Sequence, residues 1–252
     1  MDDIPTSDVM TGVRSLGTVS LGTVLGVWAH PDDEAYLSGG LMALAGVAGS
    51  RVVCVTATRG ERGTTDPRTW PPRRLAAQRS DELGRCLEIL GVGEHHWLGH
   101  RHGGCAEVSV PFAVGQLCTL IVKVRPQTVV TFGPDGVTGH PDHQAVSAWV
   151  SEAFDRAAPP DARLLHAAVT ERWVQRWSVL NEQFAIFARG YPITTPTDRL
   201  AIDLLLDPDT AARKVRVLRA QVTQTAELVA AMGLDTYTAW TAEESFVERA
   251  PS

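Results

Sequence analysis

The chain has 252 residues, a formal net charge of −6 and a hydrophobic fraction of 44%. This length and composition are ordinary for a globular protein with one α/β domain and a substantial core, or at most two small domains. The acidic balance argues against a general nucleic-acid surface, which requires a stripe of basic residues, so we expect no nucleic-acid partner.

Two features of the sequence argue against export and against a membrane partner. Residues 1–8 are acidic and polar and lack the positively charged start of a signal peptide. The apolar run 19–28 is interrupted by small and polar residues and is too short to span a bilayer. We therefore expect a cytoplasmic protein, in which the cysteines are buried reduced thiols at positions Cys54, Cys86, Cys105 and Cys118.

Strand and helix patterns alternate from the first apolar run onward. Residues 19–28 are short, apolar and rich in β-branched side chains, which predicts a buried strand that ends before Pro31. A helical pattern at 39–45 is followed by a second strand at 51–58. This alternation predicts an α/β fold with a mostly parallel sheet. Residues 1–17 are expected to form a loose N-terminal arm.

The same alternation continues through the rest of the chain. Two loops rich in glycine, at 59–72 and 99–107, interrupt it, and the pattern at 171–187 fits either a helix or a strand. No repeat and no linker is visible, so we expect a single domain over residues 1–252. The remaining predicted elements are helices at 73–90, 111–124, 144–157 and 207–232 and strands at 95–98, 128–132, 164–170 and 199–206.

The stretch directly after the first strand concentrates one imidazole and three carboxylates in His30, Asp32, Asp33 and Glu34. Adjacent carboxylates at the end of a sheet do not all stay ionised unless a cation lies among them. A single His-x-x-Asp is more often a capped turn than a pair of ligands. The crowding of charge nevertheless predicts one half of a site for a divalent metal.

A second group, His140, Asp142 and His143, follows the strand predicted at 128–132. The carboxyl ends of parallel strands form the crevice in which ligands bind, so the topology can bring the two groups together. Each group also contains a proline that stiffens its turn. Both groups together favour a metal site over two unrelated turns.

The residue types indicate a catalytic metal site. His30, Asp33 and His143 supply two imidazoles and one carboxylate and leave a coordination position open, as in catalytic zinc sites. The same set could hold Fe(II). Zinc lowers the pKa of a coordinated water from about 15.7 to about 7. Asp32 is then a candidate general base and Glu34 a support for the turn.

His140 and Asp142 complete the predicted machinery. His140 is placed to donate to a developing oxyanion when protonated. Asp142 is interpreted as the residue that orients His140, fixes its tautomer and raises its pKa.

The two motifs, Ala-His-Pro-Asp-Asp-Glu at 29–34 and Gly-His-Pro-Asp-His at 139–143, resemble those of the LmbE-like (PIG-L) zinc-dependent N-deacetylases. The chain is most similar to the actinobacterial branch that deacetylates the mycothiol precursor and to the related mycothiol-conjugate amidases. The resemblance extends to further residues along most of the chain, at 58–63, 79–82, 90–92, 214 and 223–224.

The resemblance implies a Rossmann-like three-layer fold and hydrolysis of an N-acetyl group on an amino sugar. It implies zinc on His30, Asp33 and His143, with Asp32 as general base and His140 as oxyanion stabiliser supported by Asp142. Candidate substrate-binding residues within the similar motifs are Arg79, Glu61 and His102.

Three positions depart from the family pattern while the proposed zinc ligands are retained. His102 stands where an acidic residue usually holds the sugar, Thr138 where the mycothiol branch has a tyrosine, and Gln221 where a histidine is usual. These changes concern residues that would meet or surround the substrate. The sequence therefore predicts the zinc chemistry more sharply than the substrate.

The function expected from the sequence is zinc-dependent removal of an acetyl group from an N-acetylglucosamine-type sugar or a metabolite that contains one. The alternative is an amidase that acts on a larger acyl amide, such as a mycothiol conjugate or an antibiotic intermediate. A non-catalytic sugar-binding relic is disfavoured because Asp32 and all three ligands are present. Dinucleotide binding is disfavoured because no Gly-x-Gly-x-x-Gly follows the first strand.

Overall fold

The computed structural model of the chain describes residues 21–64 and 66–250. The arm predicted over residues 1–17 lies outside this part, and the single domain over residues 1–252 stays a prediction. The strands of the described residues are β1 (Val24–Trp28), β2 (Val52–Thr58), β3 (Glu94–His100), β4 (Thr128–Phe132), β5 (Arg163–Thr170), β6 (Thr194–Thr195), β7 (Ile202–Leu205) and β8 (Glu243–Glu248).

The strands form a mostly parallel sheet in the order β3-β2-β1-β4-β5-β8-β7, with β6 paired to the end of β5. The neighbours from β3 to β5 are all parallel, whereas β8 runs antiparallel to both β5 and β7. β1, β2 and β4 are buried along their whole length, as expected of central parallel strands, and their sequences are mainly apolar. The predicted α/β fold is confirmed.

The helices are α1 (Asp33–Val47), α2 (Pro72–Leu90), α3 (Val110–Val124), α4 (Pro141–Ala157), α5 (Glu171–Gln183), α6 (Pro208–Arg219), α7 (Val222–Met232) and α8 (Leu234–Thr241). Parallel crossovers are right-handed, so connections that run toward β3 and toward β5 place their helices on opposite faces of the sheet. In agreement, α1 and α2 both pack on α6, while α3 packs on α4. The result is a helix–sheet–helix arrangement.

Helix α1 begins six positions earlier than the pattern at 39–45 predicted, at Asp33. The amides of Ala35 and Tyr36 already donate to the carbonyl oxygen of Asp32, at 3.0 and 2.9 Å. Asp33 and Glu34 occupy the first turn, where negative charge is favourable near the helix N-terminus. The charged motif is therefore part of a helix start, which brings Asp33 into a fixed orientation.

The prediction of one helix over 207–232 is wrong, because the chain turns at Gln221 between α6 and α7. Gln221 has φ −95° and ψ 56°, and its amide donates to Leu218 O at 3.0 Å. Its buried side chain donates to Glu34 Oε1 at 2.8 Å. The turn thus inserts a polar group behind the charged motif. The pattern at 171–187 resolves into helix α5, and α8 and β8 had no counterpart in the sequence prediction.

None of the helices in the described ranges is both long enough and apolar enough to cross a bilayer.

Candidate functional site

The site lies at the carboxyl ends of β1 and β4. These strands are adjacent and parallel, with Val24 paired to Thr128, so the segments that follow them leave the sheet side by side. His30 lies just beyond β1, Asp33 begins α1, and His143 lies in the first turn of α4. The predicted convergence of the two motifs is thus present in the structure.

The side chains of His30, Asp33 and His143 meet at one point. Nδ1 of His30 lies 3.2 Å from Nε2 of His143 and 3.5 Å from Oδ2 of Asp33. Nε2 of His143 lies 3.4 Å from Oδ1 of Asp33. Ligands about 2.0–2.1 Å from a tetrahedral metal are about 3.3 Å apart, so these atoms fit a single ion. All three residues are buried.

Neighbouring groups fix the ring orientation of both histidines. Nδ1 of His143 lies 3.0 Å from Gly136 O and 3.2 Å from the Thr138 hydroxyl, which leaves Nε2 for the ion. Nε2 of His30 lies 3.0 Å from Oδ2 of Asp142, which leaves Nδ1 for the ion. Such outer contacts are typical of histidines that ligate metals. Thr138, a departure from the family pattern, thus contacts a proposed ligand.

Neighbouring charges outweigh the effect of burial on the pKa at His30 and Asp33, but not at His143. Burial lowers the pKa of His30, but hydrogen bonds to Asp142 and Asp33 outweigh it and raise the pKa to about 9. Burial raises the pKa of Asp33, but His143 and His30 hold it well below its usual range. Burial lowers the pKa of His143 to about 4. The cluster therefore keeps Asp33 ionised and His143 neutral, the forms that bind a metal, whereas His30 has to lose a proton when a metal binds.

Asp142 is placed differently from the prediction. Its carboxylate faces His30 and accepts the amides of Gly103 and Cys105 at 2.6 and 2.9 Å, while its own amide donates to Nδ1 of His140 at 3.1 Å. The pKa of His140 is lowered and not raised, because burial and the charge on His30 outweigh the opposing effect of Asp142. Asp142 thus orients His30 with its carboxylate and His140 with its backbone.

Asp32 adopts a backbone conformation with φ 106°, which few residues other than glycine reach. The Asp32 carboxylate contacts Arg79, whose Nη2 lies 3.2 Å from Oδ2. Burial raises the pKa of Asp32 to about 7, and the Arg79 guanidinium opposes that rise. Asp32 lines the same cavity as the three proposed ligands.

The predicted substrate-binding residues differ in their positions. Arg79 is 2% exposed and donates to the carbonyl oxygens of Gly60 and Pro31 as well as contacting Asp32. Glu61 is not among the residues that line the cavity, and its Oε1 accepts the amide of His102 at 2.9 Å. Substrate contact by Glu61 and Arg79 stays a prediction, and the structure gives both a role in holding neighbouring residues.

His102 enters the cavity beside the proposed ligands. Its ring centroid lies 4.3 Å from that of His30 and 5.8 Å from that of His140. Burial and the charge on His30 lower the pKa of His102 to about 3, so it is a neutral side chain. Four ligand atoms, from His30, His102, His140 and Asp142, also lie within 4.8 Å of one another. This second group shares His30 with the first.

Glu34 and Gln221 support the motif from behind. Glu34 accepts the Asp32 amide at 3.0 Å through Oε2 and the Gln221 side chain at 2.8 Å through Oε1. Cys86 Sγ lies 3.1 Å from Glu34 Oε1. Burial raises the pKa of Glu34 to about 7. This network fixes the turn that carries Asp32. Gln221, which stands where the family usually has a histidine, is part of this network.

Gly139 sets the position of His140. Its φ is +80°, and a Cβ added there would lie 2.5 Å from Cδ2 of Tyr191. Only glycine fits both the backbone conformation and the close approach of the Tyr191 ring. The loop before α4 is therefore held by packing as well as by hydrogen bonds.

One cavity of about 510 Å³ contains most of the predicted site residues. Sequence reasoning missed its other walls, which come from the ends of β5 and α8, the start of β8 and the middle of α7. Apart from Gln224, which belongs to the similar residues at 223–224, these walls combine apolar residues such as Leu228 and Trp240 with polar residues that form no recognisable motif. The predicted residues that line the cavity are His30, Asp32, Asp33, Arg79, His102, His140 and His143.

Comparison with known proteins agrees with this geometry. Residues 25–154 match the family described as PIG-L, GlcNAc-PI de-N-acetylase. A Streptomyces scabiei protein named 1D-myo-inositol 2-acetamido-2-deoxy-alpha-D-glucopyranoside deacetylase is 35% identical over 185 residues, which cover 65% of this chain and 57% of that protein. The Thermobifida fusca protein of the same name is 32% identical over 202 residues, which cover 68% of each chain.

Solved structures show the same fold. The N,N'-diacetylchitobiose deacetylase of Pyrococcus horikoshii superposes with a TM-score of 0.62 at 21% identity, covering 93% of this chain and 85% of that one. The chain spans little more than half the length of the Streptomyces relative, 57%, so the sequence match concerns part of that protein. On the match over residues 25–154 and the 68% coverage of the Thermobifida relative, the chain belongs to the PIG-L family.

Proposed function

We propose that the chain is a metal-dependent N-deacetylase that hydrolyses the acetamide of an N-acetylglucosamine-type sugar. The observation that carries the proposal is the meeting of two histidine nitrogens and the Asp33 carboxylate, with 3.2 to 3.5 Å between the nearest atoms of each pair of side chains. The Asp32 carboxylate lines the same cavity and is not part of this group. The matched relatives support the substrate class, since they are named as deacetylases of an acetamido-glucopyranoside linked to inositol.

Zinc is the metal we propose for His30, Asp33 and His143. Two imidazoles and one carboxylate in a tetrahedral arrangement suit zinc, and Fe(II) is the second candidate. When bound, such an ion lowers the pKa of a water molecule and polarises the carbonyl group of the substrate. Asp142 stabilises this arrangement, because its contact with Nε2 of His30 turns Nδ1 toward the ion.

Asp32 would act as the general base. Its carboxylate lines the cavity beside the proposed ligand Asp33, where it is placed to accept a proton from the attacking water. Arg79 holds the carboxylate in place. The proton can then pass to the amine nitrogen as the C–N bond breaks.

His140 would stabilise the oxyanion. Its Nδ1 accepts the Asp142 amide, so in the neutral ring the proton resides on Nε2. A neutral His140 can therefore donate a hydrogen bond to the developing negative charge. Loss of one such donor typically lowers the rate by about 100- to 1,000-fold.

A second candidate function is hydrolysis of an amide with a larger acyl group. The cavity favours it, because apolar side chains such as Leu37, Ile186, Phe187 and Leu228 line the space shared with the ligands. A non-catalytic relic remains disfavoured, since the base, the ligands and the oxyanion donor lie in one cavity.

We also propose a cytoplasmic location. The support is chemical: Cys54, Cys86, Cys105 and Cys118 are all free thiols, as is usual in a reducing compartment.

The decisive experiment combines metal analysis of the purified protein with an amine-release assay on N-acyl amino sugars, read with fluorescamine. We expect about one zinc per chain and release of a primary amine from N-acetylated sugars. Removal of the metal with a chelator should abolish release, and added zinc should restore it. Metal-loaded protein that releases no amine from any of the sugars would overturn the proposal.

A further inference from the structure

The cavity that contains the proposed ligands continues along a wall of aromatic and aliphatic side chains. Trp173 lies in the first turn of α5 and Trp240 near the end of α8, with their ring centroids 5.8 Å apart. The ring of Tyr36 lies 5.9 Å from that of Trp240, and the ring of Phe187 lies 6.2 Å from that of Trp173. Leu228 of α7 lines the same space.

The polar atoms of these aromatic side chains already have partners in the protein. The Trp173 indole donates to Trp240 O at 3.1 Å, and the Trp240 indole donates to Asn181 Oδ1 at 3.1 Å. The Tyr36 hydroxyl lies 2.7 Å from that of Tyr237. The rings therefore offer the cavity their apolar faces and no free donor.

The carboxylates at the start of β8 are also engaged. Glu243 contacts Arg172 at 3.1 Å and Arg176 at 3.6 Å. Glu244 accepts Lys214 Nζ at 2.7 Å and the amides of Gly40 and Leu41 at 2.6 and 2.8 Å. Although both glutamates border the cavity, their charges are neutralised by the protein.

Such a wall suits an apolar group better than the hydroxyl groups of a sugar, although the C–H face of a sugar ring can also pack on an aromatic ring. The hydroxyl groups of a sugar would lose their hydrogen bonds to water there and find few replacements, which opposes binding. An alkyl chain or an aromatic ring would instead gain from leaving water. The polar part of a substrate belongs beside His102, Arg79 and the ligands, where polar side chains line the cavity.

We propose that the substrate carries an apolar chain or ring next to the scissile amide, and that Leu37, Trp173, Phe187, Leu228 and Trp240 bind it. The inference rests on the proposed function and narrows its substrate class to amphipathic N-acyl amino sugars. The reaction is unchanged: the water oxygen bonds to the acyl carbon, the C–N bond breaks, and the proton goes to the amine. The apolar group has two sources, the acyl chain or the group on the anomeric carbon.

Two substrate series separate the sources. One lengthens the acyl chain of N-acyl glucosamines from acetyl to octanoyl, and the other lengthens the alkyl chain of N-acetylglucosamine glycosides from methyl to octyl. We expect kcat/KM to rise about fourfold for each added methylene in one of the two series, as burial of a methylene predicts. If N-acetylglucosamine is cleaved and kcat/KM stays level or falls in both series, the inference is wrong while the proposed function stands.

The variant Leu228→Asn tests the wall itself. A polar side chain of similar size on α7 should flatten the rise of kcat/KM with chain length. Val222→Asn is the matched control, because Val222 lies on the same helix and is 57% exposed. The control should keep the wild-type slope. Equal slopes in both variants would contradict the assignment of Leu228.

A binding measurement keeps the inference testable without turnover. Alkyl glucosides of increasing chain length, titrated below their micelle concentrations into the zinc-loaded protein, should change tryptophan fluorescence through Trp173 and Trp240. We expect the apparent Kd to fall about fourfold per methylene and to fall less in Leu228→Asn. This result in a protein that cleaves no amide would support the apolar site and overturn the deacetylase. A Kd independent of chain length would overturn the apolar site.

Discussion

Nη2 of Arg79 lies 3.2 Å from Oδ2 of Asp32, and the Arg79 side chain is 2% exposed. The same guanidinium donates to Gly60 O at 3.1 Å, so its position is fixed by the backbone around it. Burial raises the pKa of Asp32, and Arg79 is the main charge that opposes the rise. Arg79 therefore controls how readily the proposed base loses its proton.

Replacing Arg79 by glutamine should shift the pH profile of kcat/KM to higher pH. Without the positive charge the pKa of Asp32 rises, and Asp32 can act as a base only when deprotonated. The acid limb of kcat/KM should move to higher pH, with a loss on the order of tenfold at pH 7 that diminishes as the pH increases. Arg79→Lys, which keeps the charge, should move the limb less. An unshifted limb in Arg79→Gln would contradict this role.

The variant Asp32→Asn should bind metal and fail to turn over substrate. Asparagine tolerates positive φ, so the turn at φ 106° is preserved, but the amide cannot accept a proton. We expect a loss of at least about 100-fold in kcat, with wild-type zinc content measured by elemental analysis. Asp33→Asn is the companion variant and should lose zinc. Near-wild-type turnover by Asp32→Asn would exclude Asp32 as the base.

Asp142→Asn should weaken metal binding. The substitution removes the charge beside Nε2 of His30 and leaves one oxygen for two amides, those of Gly103 and Cys105. A loss of such an outer contact typically lowers metal affinity by about 10- to 100-fold, measurable by competition with a chromophoric chelator. Glu107→Gln is the control and should keep the wild-type metal affinity, because Glu107 is an exposed acid at the end of the short 3₁₀ helix Cys105–Glu107.

Lys214→Met should destabilise the fold. Lys214 and Glu244 are each 1% exposed at the side chain, with Nζ and Oε1 2.7 Å apart. Removal of the lysine leaves a buried carboxylate without its counter-charge, which costs about 3–5 kcal/mol of unfolding free energy. Denaturant unfolding followed by circular dichroism measures the change. The double variant Lys214→Met/Glu244→Gln should recover part of the loss, and a double variant no more stable than the single one would contradict the explanation.

The sequence predicted those parts of the site that lie next to strand ends. His30 and His143 follow strands whose apolar patterns are unambiguous, and adjacency of β1 and β4 brings them together. The contact between Asp142 and His30 could not be predicted, because the Asp142 carboxylate lies in the first turn of α4 and His30 follows β1. Spacing within one motif favoured its neighbour His140, whereas the fold supplies a partner 112 positions away.

The end of the chain was harder to predict because its strand carries charge. Glu243 and Glu244 begin β8, and acidic residues are unusual in strands. Glu244 is buried with a counter-charge from Lys214 of α6 and hydrogen bonds from the amides of Gly40 and Leu41. Likewise, the predicted helix is interrupted at Gln221, whose side chain donates to Glu34 from a distant part of the chain. These long-range pairings have no local signature in the sequence.

Helices α1 and α4 both begin at the site, at Asp33 and Pro141. The N-terminus of a helix carries a partial positive charge of about half an elementary charge, which adds to the charge of a bound cation. A released carboxylate would therefore be retained, while the amine, once protonated, would be repelled. We expect the amine to leave first and the acid to act as a product inhibitor, competitive with the substrate. Initial rates measured with added acetate report this order of release, and the absence of competitive inhibition would contradict it.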